Sequence, residues 1–193
     1  SWDRPRAFLA RAALLRTVSL WHENAFGIPP LLGARIVPLA HQVHAARRVL
    51  TDRSPRFVLA DEVGLGKTIE AGLVAQAMSA TQPELRVLVI APGAMSRQWL
   101  CELFIRFGEQ VFVHVDVARL EQGDPLGALL ARQRVIVSLT ALEASPELVS
   151  LLLARRWDLV IVDEAHQVPP SRPLYQELRQ LAAAAGRVLA RSA

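Results

Sequence analysis

Cysteine and lysine are nearly missing from this 193-residue chain: Cys101 is its one thiol, and Lys67 its one ammonium among 22 basic side chains. A lone cysteine forms no intrachain disulfide framework and points to a reducing compartment, so the cytoplasm is the expected location. Long apolar runs are missing too. The longest charge-free stretches, such as 73–83 and 87–96, fall short of the ~18–20 apolar residues that a membrane helix needs, which removes a membrane from the expected partners. Arg4, Arg6, Arg11 and Arg16 interrupt the first twenty positions, leaving no apolar centre for a secretory signal. Arginines so spaced also suit an organellar transit peptide, but Phe8, Leu9, Ala12, Leu15 and Ser19 recur at helical spacing, which an ordinary packed helix explains. Internal repeats and low-complexity tracts are likewise missing.

What is present is a folding composition. Apolar residues make up 52% of the chain, and 22 basic against 18 acidic side chains leave a net charge of +4. That balance is too weak to establish nucleic-acid binding. At this length one domain is the default, and its core needs neither metal nor disulfide staples.

Apolar, mostly β-branched runs recur at Phe57 to Ala60, Val87 to Ala91, Val111 to Val115, Val135 to Val137, Leu159 to Val162 and Val188 to Ala190. Most are continuous rather than alternating, which marks strands covered on both faces by helices. Helical spacing lies between them: Leu39, Val43, Ala46 and Leu50 after Pro38; Trp99, Leu100, Leu103, Phe104 and Phe107; Leu174, Leu178, Leu181 and Ala185. Ser145 followed by Pro146 reads as an N-cap and a first helical turn, with Leu148, Leu151 and Leu152 facing inward. The alternation predicts a three-layer α/β domain with a mostly parallel central sheet. Residues 1–33, ending in a Gly- and Pro-rich break, are expected to form an N-terminal helical extension, with the main domain over 34–193.

The first expected strand runs into Asp61-Glu62-Val63-Gly64-Leu65-Gly66-Lys67-Thr68, after which Ile69, Leu73 and Ala77 repeat at helical spacing. Gly64 and Gly66 let successive N–H groups turn inward toward an anion, and the helix adds its positive end. Lys67 is then placed to reach the β and γ phosphates of a nucleotide, and the Thr68 hydroxyl to help coordinate Mg2+. The strict pattern has glycine where this chain has Asp61, so the match is to a variant loop. A plain glycine-rich turn would explain neither the Gly66-Lys67-Thr68 triplet nor the placement of the one lysine.

The apolar run Leu159 to Val162 ends in Asp163-Glu164-Ala165-His166. Carboxylates at the carboxyl end of a buried strand are expensive unless used, and ligands of parallel α/β sheets gather at that edge. Asp163 is expected to hold Mg2+ through water, and Glu164 to orient and deprotonate the water that attacks the γ phosphate. His166, His41 and His44 have no companions at zinc-ligand spacing. Two arginine groups, Arg47, Arg48, Arg53 and Arg56, then Arg155 and Arg156, read as solvated helix ends ahead of a nucleic-acid patch.

Taken together, Asp61 to Gly72 and Asp163 to His166 resemble motifs I and II of the SNF2-type ATPases of helicase superfamily 2, closest in wording to the bacterial RapA-like branch. Pro38-Leu39-Ala40-His41-Gln42 is similar to the family's glutamine motif, which implies that Gln42 reads the adenine edge. Val89 to Pro92 through Gln98-Trp99 resembles motif Ia, and Val137-Ser138-Leu139-Thr140 motif Ib. The resemblance implies contact with a nucleic-acid backbone through Pro92, Gly93, Arg97, Ser138 and Thr140. It implies a RecA-like P-loop fold with Asp61, Gly64, Leu65, Gly66, Lys67 and Thr68 around ATP, and coupling through His166 and Ser192. It covers residues from about 36 onward.

Ser192-Ala193 looks like the first half of the family's motif III. The expectation is therefore a first motor lobe, whose partner lobe in the same parent chain supplies arginine fingers. Such a lobe binds ATP and Mg2+ weakly and hydrolyses ATP slowly alone. The resemblance implies duplex DNA as the substrate of the parent, with RNA, a polymerase complex, or a non-catalytic nucleotide switch as rival readings.

Overall fold

The computed structural model describes residues 39–52, 56–59, 67–82, 84–107, 112–123 and 125–191. The expected extension over 1–33 lies outside them, as do Asp61 to Gly66 and Ser192. Six strands appear where the β-branched runs fall: β1 Arg56–Leu59, β2 Val87–Ala91, β3 Val113–Val115, β4 Arg134–Ser138, β5 Leu159–Val162 and β6 Arg187–Arg191. They form one sheet in the order β1-β6-β5-β2-β4-β3, and every neighbouring pair is parallel. All six carboxyl ends therefore share one rim.

Eight α-helices among the described residues cover the sheet: α1 Ala40–Thr51, α2 Lys67–Thr81, α3 Gly93–Phe107, α4 Val117–Glu121, α5 Leu126–Leu130, α6 Leu139–Ala144, α7 Pro146–Leu153 and α8 Leu174–Ala184. Strand side chains alternate between faces, and that period of two sorts the core into two halves. Val87, Val89, Ala91, Leu159, Ile161 and Leu189 pack with residues of α1, α2 and α3. Leu88, Ile90, Val135, Val137, Val160 and Val188 pack with residues of α5 to α8. Three layers result. A fully buried Leu or Ile in such a sandwich stabilises it by about 1.5–3 kcal/mol.

Local signals act as their chemistry dictates. The Ser145 hydroxyl accepts from the Leu148 N–H at 3.1 Å, with Pro146 in the first turn of α7. Gly72 leaves room for the Phe107 ring, which an added Cβ would overlap, so the glycine lets α2 and α3 approach closely.

Burial is uneven along three of the expected apolar stripes. In α1 the inward residues are Gln42, Ala46 and Val49, while Leu39 is exposed, because the buried stripe is turned one position from the apolar one. In α3, Trp99, Leu103 and Phe107 are buried but Phe104 is exposed. In α7, Leu148 and Leu152 are buried, whereas Leu151 packs only at the margin. Among the described residues no helix is long and apolar enough to cross a membrane.

Candidate functional site

The same period of two decides what meets at the carboxyl rim. Asp163 continues β5 on the side of Leu159 and Ile161, and Arg191 ends β6 on the side of Leu189; both therefore face the layer of α1 to α3. Asp163 is 1% exposed, and its N–H donates to the Ile90 carbonyl at 2.8 Å, which extends β5 by one residue. Trp99 of α3 donates its indole Nε1–H to Asp163 Oδ2 at 2.6 Å. The other oxygen, Oδ1, accepts the Glu164 N–H at 3.0 Å and lies 3.5 Å from Arg191 Nη1. That same Nη1 donates to Thr68 Oγ1 in the first turn of α2 at 3.1 Å. One cationic nitrogen thus joins the two groups that sequence reasoning assigned to a metal ion.

Arg191 is buried and lies over Trp99, its Cζ 4.9 Å from the ring centroid. Burial pulls its guanidinium below the ordinary value, and the carboxylates of Asp163, Glu164, Glu102 and Glu70 push back. It stays charged at neutral pH, since an arginine does not lose its proton in a protein. The surroundings are acidic: Glu70 of α2 is buried as well.

Glu164 has φ +49° and ψ +49°, the one described non-glycine residue in the left-handed region. Such a conformation costs about 1–3 kcal/mol and persists where the surroundings fix it, commonly at functional sites. His166 Nδ1 lies 3.2 Å from Glu164 Oε2. Lys67 opens α2 on the same rim.

Hard oxygen donors that already share one cation suit Mg2+, which prefers oxygen ligands. Thr68 Oγ1 and Asp163 Oδ1 form such a pair, with the guanidinium nitrogen as the stand-in.

The other expected contacts fall at the neighbouring strand ends. Ala91 pairs with Ser138 across β2 and β4, so Pro92 and Gly93 sit beside Ser138 and Thr140. Ser138 is fully buried and caps α6, its Oγ accepting the Ala141 N–H at 3.1 Å; Thr140 Oγ1 is 3.1 Å from that Oγ and its residue is exposed. Arg97, on α3, forms an ion pair of 2.9 Å with Asp116. Behind it, the Ser96 hydroxyl donates to the Gly93 carbonyl at 2.7 Å, and its Oγ lies 2.9 Å from His114 Nε2. Burial holds His114 below its usual pKa, opposed by Asp116.

Gln42 belongs to α1. It is 2% exposed, and its Oε1 accepts the Leu39 N–H at 3.0 Å at the start of α1. Among the arginine groups, Arg56 donates to the Ala185 carbonyl at 2.9 Å beyond the end of α8, and Arg155 stacks over Trp157 at 5.0 Å.

Sequence reasoning missed Arg191 as a site residue and placed Trp99 only in an apolar stripe. Strand parity was the available signal: an arginine two positions after Leu189 and an acid two after Ile161 end adjacent strands on one face.

The SNF2-related domain matches residues 41–187. This chain belongs to the SNF2-related family. The RNA polymerase-associated protein RapA of Pseudomonas aeruginosa (strain LESB58) is 40% identical over 160 residues, covering 83% of this chain and 16% of that protein. Its counterpart in Pseudomonas putida (strain W619) is 43% identical over 136 residues, covering 70% and 14%. The chain thus spans about a sixth of the length of these curated SNF2 relatives. The Sulfolobus solfataricus SWI2/SNF2 ATPase core in complex with dsDNA superposes with a TM-score of 0.63 at 18% identity, over 83% of this chain and 32% of that one. The fold is thereby the RecA-like fold of an SNF2 first lobe.

Proposed function

We propose that residues 34–193 form the nucleotide-binding first motor lobe of an ATP-dependent SNF2-type translocase, which works with a second RecA-like lobe of the same parent chain. The observation that carries this reading is the meeting of Thr68, Asp163 and Glu164 at one rim, with Thr68 and Asp163 joined through a single cation. Lys67 and the loop 61–66, with Asp61, Gly64, Leu65 and Gly66, would cradle the triphosphate. Thr68 and Asp163 would hold Mg2+, whose charge would neutralise that developing on the phosphates. Glu164, set by its left-handed backbone and the neighbouring Asp163, would take a proton from the attacking water. His166, within reach of Glu164, and Ser192 would pass the state of the site to the partner lobe. Gln42 would read adenine.

Thr140, Gly93, Pro92, Ser138 and Arg97 would face a nucleic-acid backbone along the β2 and β4 rim. Thr140 and Arg97 are exposed there, whereas Ser138 would act by shaping the turn. Duplex DNA is the substrate this reading favours, in a cytoplasmic setting. The RapA relatives are named RNA polymerase-associated proteins, and that supports RNA polymerase as a partner of the parent. Stimulation of the complete protein's ATPase by duplex DNA, RNA or polymerase separates these substrates. Without arginine fingers, worth about 10³–10⁵ in rate, the lobe alone hydrolyses ATP slowly.

The test is Glu164→Gln in the complete parent protein. ATP binding should survive while turnover is lost. Unchanged turnover would remove Glu164 from the chemistry, and unchanged cellular function despite lost turnover would favour a nucleotide switch.

A further inference from the structure

Arg191 sits where the reading above puts a metal ion. Its Nη1 is 3.1 Å from Thr68 Oγ1 and 3.5 Å from Asp163 Oδ1. Mg2+ coordinated by the Thr68 hydroxyl, with Asp163 holding it through water, would need the space between those oxygens, since Mg2+–oxygen bonds are only ~2.0–2.1 Å long. Ion and guanidinium nitrogen therefore compete for one small space, and two cations so close repel. The arginine is not an incidental visitor. It is buried, stacked on Trp99, and attached to the end of β6. Trp99 is itself tied to the far oxygen of Asp163, so the carboxylate is held from both sides.

We propose that Arg191 is the resident cation of this seat: it holds Thr68 and Asp163 together in the nucleotide-free lobe and must leave when a divalent ion enters with the nucleotide. Arg191 thereby sets how strongly nucleotide binding depends on Mg2+. Displacing the guanidinium frees the last residue of β6, which runs directly into Ser192. Arg191 is a positioning residue here, acting through Thr68 and Asp163. The inference rests on the nucleotide-site reading above.

The test compares the affinity of the chain for a fluorescent ADP analogue in Mg2+ and in EDTA, for wild type, Arg191→Met and Arg191→Lys. Methionine keeps an apolar stem against Trp99 without charge, and lysine keeps a cation. Arg191→Met should raise the Mg2+ enhancement by about tenfold, the factor expected when a seat open roughly a tenth of the time becomes fully open. Arg191→Lys should stay near the wild-type ratio. Equal enhancement in wild type and Arg191→Met overturns the proposal. A merely structural arginine would alter stability but not this ratio.

A second measurement needs only folded wild type. Slowly exchanging guanidinium resonances, identified by their loss in Arg191→Lys, should persist with ADP and EDTA and vanish when Mg2+ is added. Their persistence with Mg2+ and ADP overturns the proposal. Failure of wild type to bind the analogue under either condition would instead overturn the nucleotide site, and this inference with it.

Discussion

Two stretches of one rim handle polar groups in opposite ways. At the ends of β2 and β4, polar side chains serve the backbone: Ser138 caps α6, Ser96 returns its proton to Gly93, and Arg97 pairs with Asp116 at the surface. Each of these contributes modestly and is common in any α/β protein. At the ends of β5 and β6, charge is buried. Asp163 and Arg191 sit in the interior with Trp99, bonded to the half-buried Thr68, and Glu164 holds a strained backbone beside them. Burying such a pair brings little net stability over apolar residues of the same size. A fold needs the first kind of arrangement; the second calls for a chemical reason.

The contrast can be broken by experiment. Glu164→Gln in the complete protein should lower turnover by about 10²–10⁴, the range for losing a general base, with nucleotide affinity kept. Steady-state ATPase assays read it, and an equal loss from Ser138→Ala would erase the distinction between the two stretches. Asp163→Ala should destabilise the chain by about 3–5 kcal/mol, because it leaves the Arg191 charge buried without its carboxylate. Urea unfolding measures it, and a change below about 1 kcal/mol would mean that Arg191 finds water easily. Ser138→Ala should cost about 1 kcal/mol through the lost cap, with unchanged affinity for the ADP analogue.

The smallest effect is one of pH. The hydrogen bond from Arg97, first among the causes, holds the Asp116 carboxyl below the usual carboxylate range. A depressed folded value means stability that is present above the unfolded value and lost as pH falls through the folded one. Arg97 is largely exposed, its side chain 70% accessible, so solvent screening limits the loss to under about 1 kcal/mol as pH falls below the ordinary carboxylate value of about 4. Comparison with Arg97→Met in acid unfolding isolates it, and parallel curves would show that the pair contributes nothing.

Much of the scaffold was legible beforehand, for reasons visible in particular residues. Runs such as Val87 to Ala91 can only be strands buried on both faces, and the Ser145-Pro146 pair announces a helix start by capping chemistry. Asp163 and Glu164 stood out because acids rarely follow an apolar strand. Short helices such as α4 and α5, at five residues each, hold too little periodicity to be seen. The stripe of α1 was misjudged because Gln42 turns inward, where its amide closes the helix start, while Leu39 takes the exposed position. Arg191 was overlooked since a charge at a strand's last position ordinarily signals only the return to solvent. Its partners come from β5, α2 and α3, a conjunction that no local window contains.

One feature of the sheet bears on how the protein is made. β1, the strand that leads toward Lys67, is hydrogen-bonded to β6 and to no other described strand. Its residues leave the ribosome early and must wait for about 130 more before Val188 to Arg191 arrive to pair with them. The central strands can associate during synthesis, but the rim beside Thr68 assembles last. The edge that carries Thr68 therefore depends on the last of the described strands to be synthesised.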